Sequence, residues 1–531
     1  MGIPSYFSYI VKNHIEILQK YVKDSLKVQN LYLDCNSIIY DVVRGINFDA
    51  LTETAHKSII QNVILKLEEY ILTIGPSETV FIAFDGVAPV AKLEQQRTRR
   101  YKSWYQAEVS KTIFKKEGTD MWNTTAITPG TEFMRELGEG ISGHFSNHSS
   151  SCKNIIVSTS EEAGEGEHKI FDYIRREPEK HKDEVTIIYG LDADLIMLSI
   201  NHLPICPNIY LYRETPEFIK SIDKTLEPNE SYLLDIPELA EVIIMDMNNG
   251  KRDTSDQAKN RVYDYIFLCF FLGNDFLPHF PAVNIRTGGI DKLLGAYKQT
   301  IGGTNDNLTD GKVIYWKNVR KLVECLAKNE DEWFQAEMRL RDRKEKYNYP
   351  ENTPEQKYTK FEAIPNYDRE MEKYIDPSKK YWQYRYYKAL FQVDINDKLC
   401  EDFARNYLEG LEWTMKYYTE GCADWRWHYK HNYPPLLNDL LKYIPHFGSE
   451  FVPKRLDMAV SPLVQLCYVL PRHSLQFLPE KLYKALISEH EEWYKTDCEF
   501  VWAFCRYFWE CHIVMPELDV GELEEFVEKY A

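Results

Sequence analysis

No stretch of this chain approaches the roughly 20 consecutive apolar residues needed to span a bilayer; the run IFLCFFLG at 266–273 falls well short. The opening MGIPSYFSYIVKNH lacks the basic start and continuous apolar stretch of a secretory leader, and Tyr6 stands where a myristoylation signal wants Ser or Thr. The 11 cysteines are odd in number and follow no CxxC or Cys/His spacing, so a disulfide framework or structural zinc site is not expected. Cys35, Cys269 and Cys467 sit in apolar runs and read as reduced core thiols. Positive charge is also in deficit: 64 Lys and Arg against 82 Asp and Glu leave a net −18. That argues against broad adhesion to nucleic acid, though not against one locally basic groove. No internal repeat or low-complexity bias is evident. The expectation is a soluble intracellular protein with no membrane partner.

What is abundant is aromatic: 37 Tyr and 11 Trp, enough to fill cores and still leave stacking platforms for nucleic-acid bases. Five nearly all-apolar runs punctuate the first 300 residues: NLYLDC (30–35), TVFIAFDG (79–86), NIIVST (154–159), VTIIYGLD (185–192) and NIYLYR (208–213). Such runs are typical of strands buried on both faces of a parallel sheet, and helical patterns (55–72, 161–176) alternate with them. This predicts an α/β fold with a mostly parallel central sheet flanked by helices and a mainly helical C-terminal region. Three regions follow: 1–315, an α/β domain; 316–380, a charged, solvated connecting segment; and 381–531, helical and aromatic without strand alternation. The Gly- and Ser-rich 138–153 reads as a flexible insertion.

In such sheets ligands bind beyond the carboxyl ends of the strands, and acids stand there. Asp34 and Asp85 end the first two runs, Glu165 and Glu167 lie in EAGEGEHKI, Asp192 and Asp194 in GLDAD, and Asp275 in FLGNDFLP. A single acid after a strand is usually a cap or turn residue. Seven from five segments are not so explained, because gathered carboxylates repel one another and call for cations. Two-metal phosphodiester hydrolysis needs such an oxygen-rich cluster. Asp192 and Asp194, two apart in extended backbone, are expected to point the same way. Glu165 and Glu167 diverge in a regular helix and share a site only if its first turn is irregular, which Gly164 and Gly166 permit. His168 beside them reads as a structural hydrogen-bonding residue, and no protein general base is required. Straight after FDG, Lys92, Gln96, Arg99 and Arg100 fall at i, i+4, i+7 and i+8, one basic helix face.

The runs MGIPSYFSYI, LYLDCNSIIY, FDGVAPVAKLEQQRTRR, ITPGTEFM, GEGEHKI, YGLDADLIML and FLGNDFLP, with YLEGLEWTMKYYTEGCADWRWHYKHNYPP (407–435) and SPLVQLCYVLPRHSLQFLP (461–479), resemble the XRN family of 5′→3′ exoribonucleases in order and spacing. The resemblance spans essentially the whole chain. It implies a PIN/FEN-like nuclease core completed into a tunnel by the C-terminal region. It implies hydrolysis of single-stranded, 5′-monophosphorylated (decapped) RNA to nucleoside 5′-monophosphates in mRNA decay. Mg²⁺ is the implied cofactor, two ions, with Mn²⁺ able to substitute. Asp34, Asp85, Glu165, Glu167, Asp192, Asp194 and Asp275 become the catalytic metal-binding acids. Lys92, Gln96, Arg99 and Arg100 become the 5′-phosphate pocket. Bases would stack between Tyr40, where the family has His, and a C-terminal Trp, either Trp425 or Trp427, with Trp427 favoured. A monomer coupled to a decapping enzyme is implied, in the cytoplasm, or in that of a host were the source viral. The C-terminal modules of large members are not in evidence, as expected of a minimal core. Two other readings remain: a flap-type DNA nuclease, for which IRTGGIDKLL (285–294) is a weak helix–turn–helix match, and a non-catalytic RNA-binding decoy.

Overall fold

The computed structural model describes residues 5–48, 54–115, 122–146, 152–215, 217–252, 255 and 259–530. Its centre is a seven-stranded sheet in the order β1-β7-β6-β5-β2-β3-β4. The strands are β1 (Leu18–Lys20), β2 (Asn30–Asp34), β3 (Thr79–Ala83), β4 (Asn154–Ser158), β5 (Thr186–Tyr189), β6 (Ile209–Glu214) and β7 (Ser231–Asp235). Strands β2 to β6 run parallel, as their unbroken apolar composition requires. The unforeseen strands, β1 and β7, form the antiparallel edge; one is three residues long, too short to show a pattern.

Period-two alternation sends neighbouring side chains to opposite faces. Leu31, Leu33, Val80, Ile82 and Ile187 pack with the helices Asn36–Gly45, Ala55–Ile74 and Glu132–Ser146. Tyr32, Phe81 and Ile188 pack on the other side with Gly166–Arg176 and Asp194–His202. Each buried Leu or Ile contributes about 1.5–3 kcal/mol. Register matters more here than total burial. Asp34 pairs with Ala83 and Leu33 with Tyr189, so the carboxyl ends of the three central strands are level and the acids beyond them emerge side by side.

Three readings are corrected. Residues 138–146 are not a flexible insertion but the second half of the helix Glu132–Ser146, because Phe133, Met134, Leu137, Ile141 and Phe145 form a buried stripe that outweighs the glycines; 147–151 lie outside the described residues. Residues 316–380 are not a solvated connection. Helix Trp316–Lys328 buries Trp316, Val319, Leu322, Val323 and Leu326, and the buried Arg341 and Arg369 pair with buried Glu372. The charges that suggested solvent are partly paired inside. The C-terminal region also contains one short antiparallel pair, β8 (Phe500–Val501) with β9 (His512–Ile513). Cys35, Cys269 and Cys467 are buried free thiols. Among the described residues no helix is long and apolar enough to cross a membrane.

Candidate active site

Two loops meet over the central strands. Gly86 donates its N–H to the Gly164 carbonyl at 2.8 Å, and Gly164 donates to that of Val87 at 2.8 Å. Gly86 is required there, since a Cβ would stand 1.7 Å from the Glu162 carbonyl oxygen. Lys169 locks the junction by donating to the carbonyls of Phe84 and Thr159 at 2.8 and 2.7 Å. This zipper brings Asp85 against the start of helix Gly166–Arg176, where the Gly166 N–H donates to Asp85 Oδ1 at 2.7 Å. Asn36, which sequence reasoning missed, holds the other side: its Nδ2 donates to Asp85 Oδ2 at 2.6 Å and its Oδ1 accepts from the Asp85 N–H at 3.0 Å. An Asn two residues after Asp34, at a helix start, was the available signal.

Glu165 is the extended cap residue of that helix (φ −70°, ψ 151°), and Glu167 lies in its first turn. The irregular entry lets both acids face the same space. One ligand oxygen each from Asp34, Asp85 and Glu167 lies within 4.8 Å of the others, and ligand atoms of Glu165, Glu167 and His168 form a second such group. Glu167 belongs to both. A Cβ on Gly166 would lie 2.7 Å from Asp34 Oδ1, so the glycine makes room for the cluster. The other pair behaves differently from expectation. Ala193 is already helical (φ −70°, ψ −22°) and Asp194 begins helix Asp194–His202. Asp192 is exposed while Asp194 is buried; there is no extended backbone to align them.

Asp275 arrives from outside the sheet, in the turn after helix Arg261–Phe270. Lys92 Nζ ties it in, at 2.7 Å from Asp275 Oδ2 and 2.5 Å from Glu165 Oε2. Lys92 therefore sits within the acid cluster at the head of helix Val90–Phe114, not apart from it with the other basic residues. Gln95, not predicted, donates to Asp275 Oδ1 at 3.3 Å. Gln96 is half-buried, and its Oε1 has no hydrogen-bond partner among the described residues. Arg99 is exposed, and Arg100 donates to Thr128 Oγ1 at 2.6 Å. Arg97, buried on the adjoining face, fastens the helix to the C-terminal region through the carbonyls of Pro516 (2.9 Å) and Trp493 (3.1 Å).

The helical region closes the site. From helix Asp397–Thr419, the Tyr417 hydroxyl donates to Glu165 Oε1 at 2.9 Å and that of Tyr418 to Asp194 Oδ1 at 2.7 Å. Sequence reasoning missed both tyrosines. The ring of His168 stacks on Tyr417 with centroids 3.7 Å apart. Contrary to expectation, His168 Nδ1 has no hydrogen-bond partner among the described residues. Tyr40 is half-buried on helix Asn36–Gly45, one turn after Asn36. Trp427 stacks on Trp413 at 5.2 Å, and its Nε1 donates to Glu409 at 3.4 Å. Trp425 is half-buried, and its carbonyl accepts from the Val90 N–H at 3.0 Å, joining the ADWRW turn to the basic helix.

The electrostatics are those of crowded anions. Burial, then Asp85, Asp192 and Glu165, hold the Asp34 carboxyl well above its usual range. Burial, Glu165 and Asp34 do the same to Glu167. Burial and Asp275 push Asp194 up to about 6. Burial alone would raise Asp275, but the Lys92 ammonium overrides it and holds that carboxyl low. Lys92 is itself held above its ordinary value, because Asp275, Glu165 and Glu167 outweigh its burial. Asp34 Oδ1 is buried with no hydrogen-bond partner among the described residues. An orphan acceptor among hard oxygen donors fits a divalent cation.

A parallel sheet that gathers buried carboxylates at its carboxyl edge, closed over by helices, is a site of the kind that metal-dependent nucleases use. Residues 1–215 match the model of the XRN 5′-3′ exonuclease N-terminus, and 256–380 and 352–530 match that of the Xrn1 helical domain. The 5′-3′ exoribonuclease 2 of Arabidopsis thaliana is 26% identical over 99% of this chain and 67% of its own length. The 5′-3′ exoribonuclease 1 of Saccharomyces cerevisiae is 27% identical over 100% of this chain but 43% of its own, and that of Homo sapiens 28% over 99% and 34%. This chain thus spans less than half of those two relatives. It belongs to the XRN family, and so to the 5′→3′ exoribonucleases.

Proposed function

We propose that the protein removes nucleotides singly from the 5′ end of single-stranded RNA bearing a 5′-monophosphate, releasing nucleoside 5′-monophosphates. One observation carries the reading: Lys92 joins the basic helix directly to the acids, through Glu165 and Asp275. Arg99 and Arg100 lie two turns further along, roughly 11 Å, on a face suited to a terminal phosphate. Guanidinium forks take phosphate oxygens in pairs, and Lys92 adds a point charge nearer the cluster. Trp427, fixed by Trp413, and Tyr40 supply ring faces for the first bases, each worth about 1–3 kcal/mol.

The residues that would hold two Mg²⁺ ions, or Mn²⁺ in their place, are Asp34, Asp85, Glu165, Glu167, Asp192, Asp194 and Asp275. Bound there, the ions would supply an activated water and neutralise the leaving oxygen. The chain's own work is positional. Asn36 and Gly166 aim Asp85, Tyr417 and Tyr418 aim Glu165 and Asp194, and the helical region shields the cluster from bulk water. Decapping chemistry would provide the 5′-monophosphate, placing a monomeric enzyme in cytoplasmic mRNA decay. The flap-nuclease reading is weaker: Arg286 in IRTGGIDKLL is engaged internally, paired with Glu510 and lying over Tyr507 and Trp509. A decoy has no reason to keep every acid.

The test is decay of one RNA with a 5′-monophosphate, a 5′-triphosphate or a cap, alongside a flap DNA, in Mg²⁺. The monophosphate is expected to be preferred by about 10²-fold or more, the worth of losing a buried, correctly paired phosphate site. Equal decay of all three RNAs would discard the pocket, and faster cleavage of the flap would discard the substrate class.

A further inference from the structure

The two groups of ligand atoms in the cluster are chemically unlike. Asp34, Asp85 and Glu167 offer only oxygen, whereas Glu165 and Glu167 share their space with an imidazole nitrogen of His168. We propose that His168 is itself a metal ligand, giving the cation position bounded by Glu165 and Glu167 a nitrogen donor and a preference for first-row transition ions over Mg²⁺. The proposal rests on the reading of the acids as cation-holding.

Several independent observations point to it. His168 is only 9% exposed, and its Nδ1 is buried with no hydrogen-bond partner among the described residues. Buried polar atoms are nearly always satisfied, so an unpartnered nitrogen on a ring that also brings a nitrogen within 4.8 Å of oxygens of Glu165 and Glu167 leaves a place for an ion. The ring is also oriented. It stacks on Tyr417 at 3.7 Å and 22° and meets the edge of Tyr418 at 6.1 Å and 78°. Tyr417 additionally donates to Glu165 Oε1 at 2.9 Å, so one side chain sets two of the three donors. Glu165 Oε2 accepts from Lys92, yet each carboxylate oxygen keeps a second lone pair for a cation. A histidine wanted only for packing would gain nothing from a ring nitrogen within 4.8 Å of both acids. Imidazole suits transition ions, while Mg²⁺ prefers all-oxygen surroundings.

The test uses the whole chain loaded with Mn²⁺ and read by pulsed EPR, which detects nitrogen bonded to the ion. The expected result is an imidazole nitrogen coupling that changes its pattern when the histidines carry ¹⁵N and disappears in His168→Gln. That variant should still bind Mn²⁺, about tenfold more weakly or worse, while the Mg²⁺ needed to displace Mn²⁺ falls. Histidine labelling needs no substitution, so the outcome does not depend on the variant folding. Mn²⁺ bound without nitrogen coupling in the parent, or a coupling that survives in folded His168→Gln, overturns the assignment and leaves the acids' role standing. Failure of Mn²⁺ to bind at all overturns the underlying reading, and this inference with it.

Discussion

Glu165-Gly166-Glu167 and Asp192-Ala193-Asp194 share one pattern, two acids around a small residue beyond a parallel strand, yet the fold uses them differently. In the first, the helix cap falls on Glu165 itself, so one acid stands outside the helix and the other inside its first turn, and both are buried, 3% and 7% exposed. In the second, the cap falls on Ala193. Asp194 is buried and held by Tyr418, while Asp192 is left exposed. A shift of one residue in the cap accompanies the difference in how deeply the two acids of such a pair are buried. Both triplets gain from the positive end of a helix dipole, about 0.3–1 kcal/mol per acid, so the dipole does not distinguish them. Backbone entry does.

The largest effect should come from removing the acid that both ligand groups share. Glu167→Gln is expected to lower kcat by about 10³-fold or more, as loss of a central electrostatic contact in a dry site does, with substrate binding little changed. Asp194→Asn should approach that loss, whereas Asp192→Asn should cost about tenfold. Single-turnover decay of 5′-monophosphorylated RNA at saturating Mg²⁺ measures all three. An Asp192 variant as damaged as the Asp194 variant would break the contrast, showing that the exposed acid turns inward when RNA and cations are bound.

That contrast also marks where the sequence was legible. The five parallel strands were, because each is a continuous apolar run, as the fully buried β2, β3 and β5 demand, although the edge strand β4 is only partly buried, and the acids were, because strand ends are where such sheets bind. The entry of each helix was not. The extended rule applied to Asp192 and Asp194 failed on a cap one residue early, and the glycine beside Glu165 and Glu167 carried the decisive signal. Tyr417 and Tyr418 were hidden for another reason: they lie some 250 residues from the acids they hold, at |i−j| of 252 and 224, and on their own helix they look like ordinary core tyrosines. Lys92 was read as part of a phosphate face because helix periodicity fixes which side a residue takes, not how far its side chain reaches along it. In 316–380, composition misled because buried Arg–Glu pairs look like solvent-facing charge.

A middle-sized effect concerns stability, and its sign follows from the raised carboxyl of Asp194. Its pKa is about 6 in the folded protein against 3.8 ordinarily. Between those values the folded chain holds the proton more tightly than the unfolded one. The favourable contribution is therefore full below pH 4 and is lost as pH rises through 6. Two pKa units correspond to roughly 3 kcal/mol. In EDTA, urea unfolding of the parent is thus expected to lose stability between pH 4 and 6. Asp194→Asn should reduce that slope, Asp34 and Glu167 keeping their share of it, and be more stable than the parent at pH 7. Asp192→Asn, altering an exposed side chain, should keep the parent's slope. Added Mg²⁺ should then stabilise the parent more than Asp194→Asn. The same slope in all three proteins would mean that the burial difference between the two pairs has no energetic weight.

The smallest effect separates the tyrosines that serve the two triplets. Tyr418→Phe removes only the hydroxyl that donates to Asp194 Oδ1, and Tyr417→Phe only the one that donates to Glu165 Oε1; each ring keeps its packing. A hydrogen bond to a buried carboxylate is worth about 1.5 kcal/mol, or roughly tenfold in an equilibrium. Mn²⁺ affinity should fall by about that factor in each variant, while Tm moves little because the rings remain. The two should differ in one respect. Glu165 has Lys92 as a second partner and keeps its orientation when Tyr417 loses its hydroxyl. For Asp194, Tyr418 is the hydroxyl donor set directly against it. Tyr418→Phe should therefore be the more damaging of the pair. If Tyr417→Phe proves worse, the convergent triplet depends on the helical region for its geometry, and the position of the cap is not sufficient to bring Glu165 and Glu167 together.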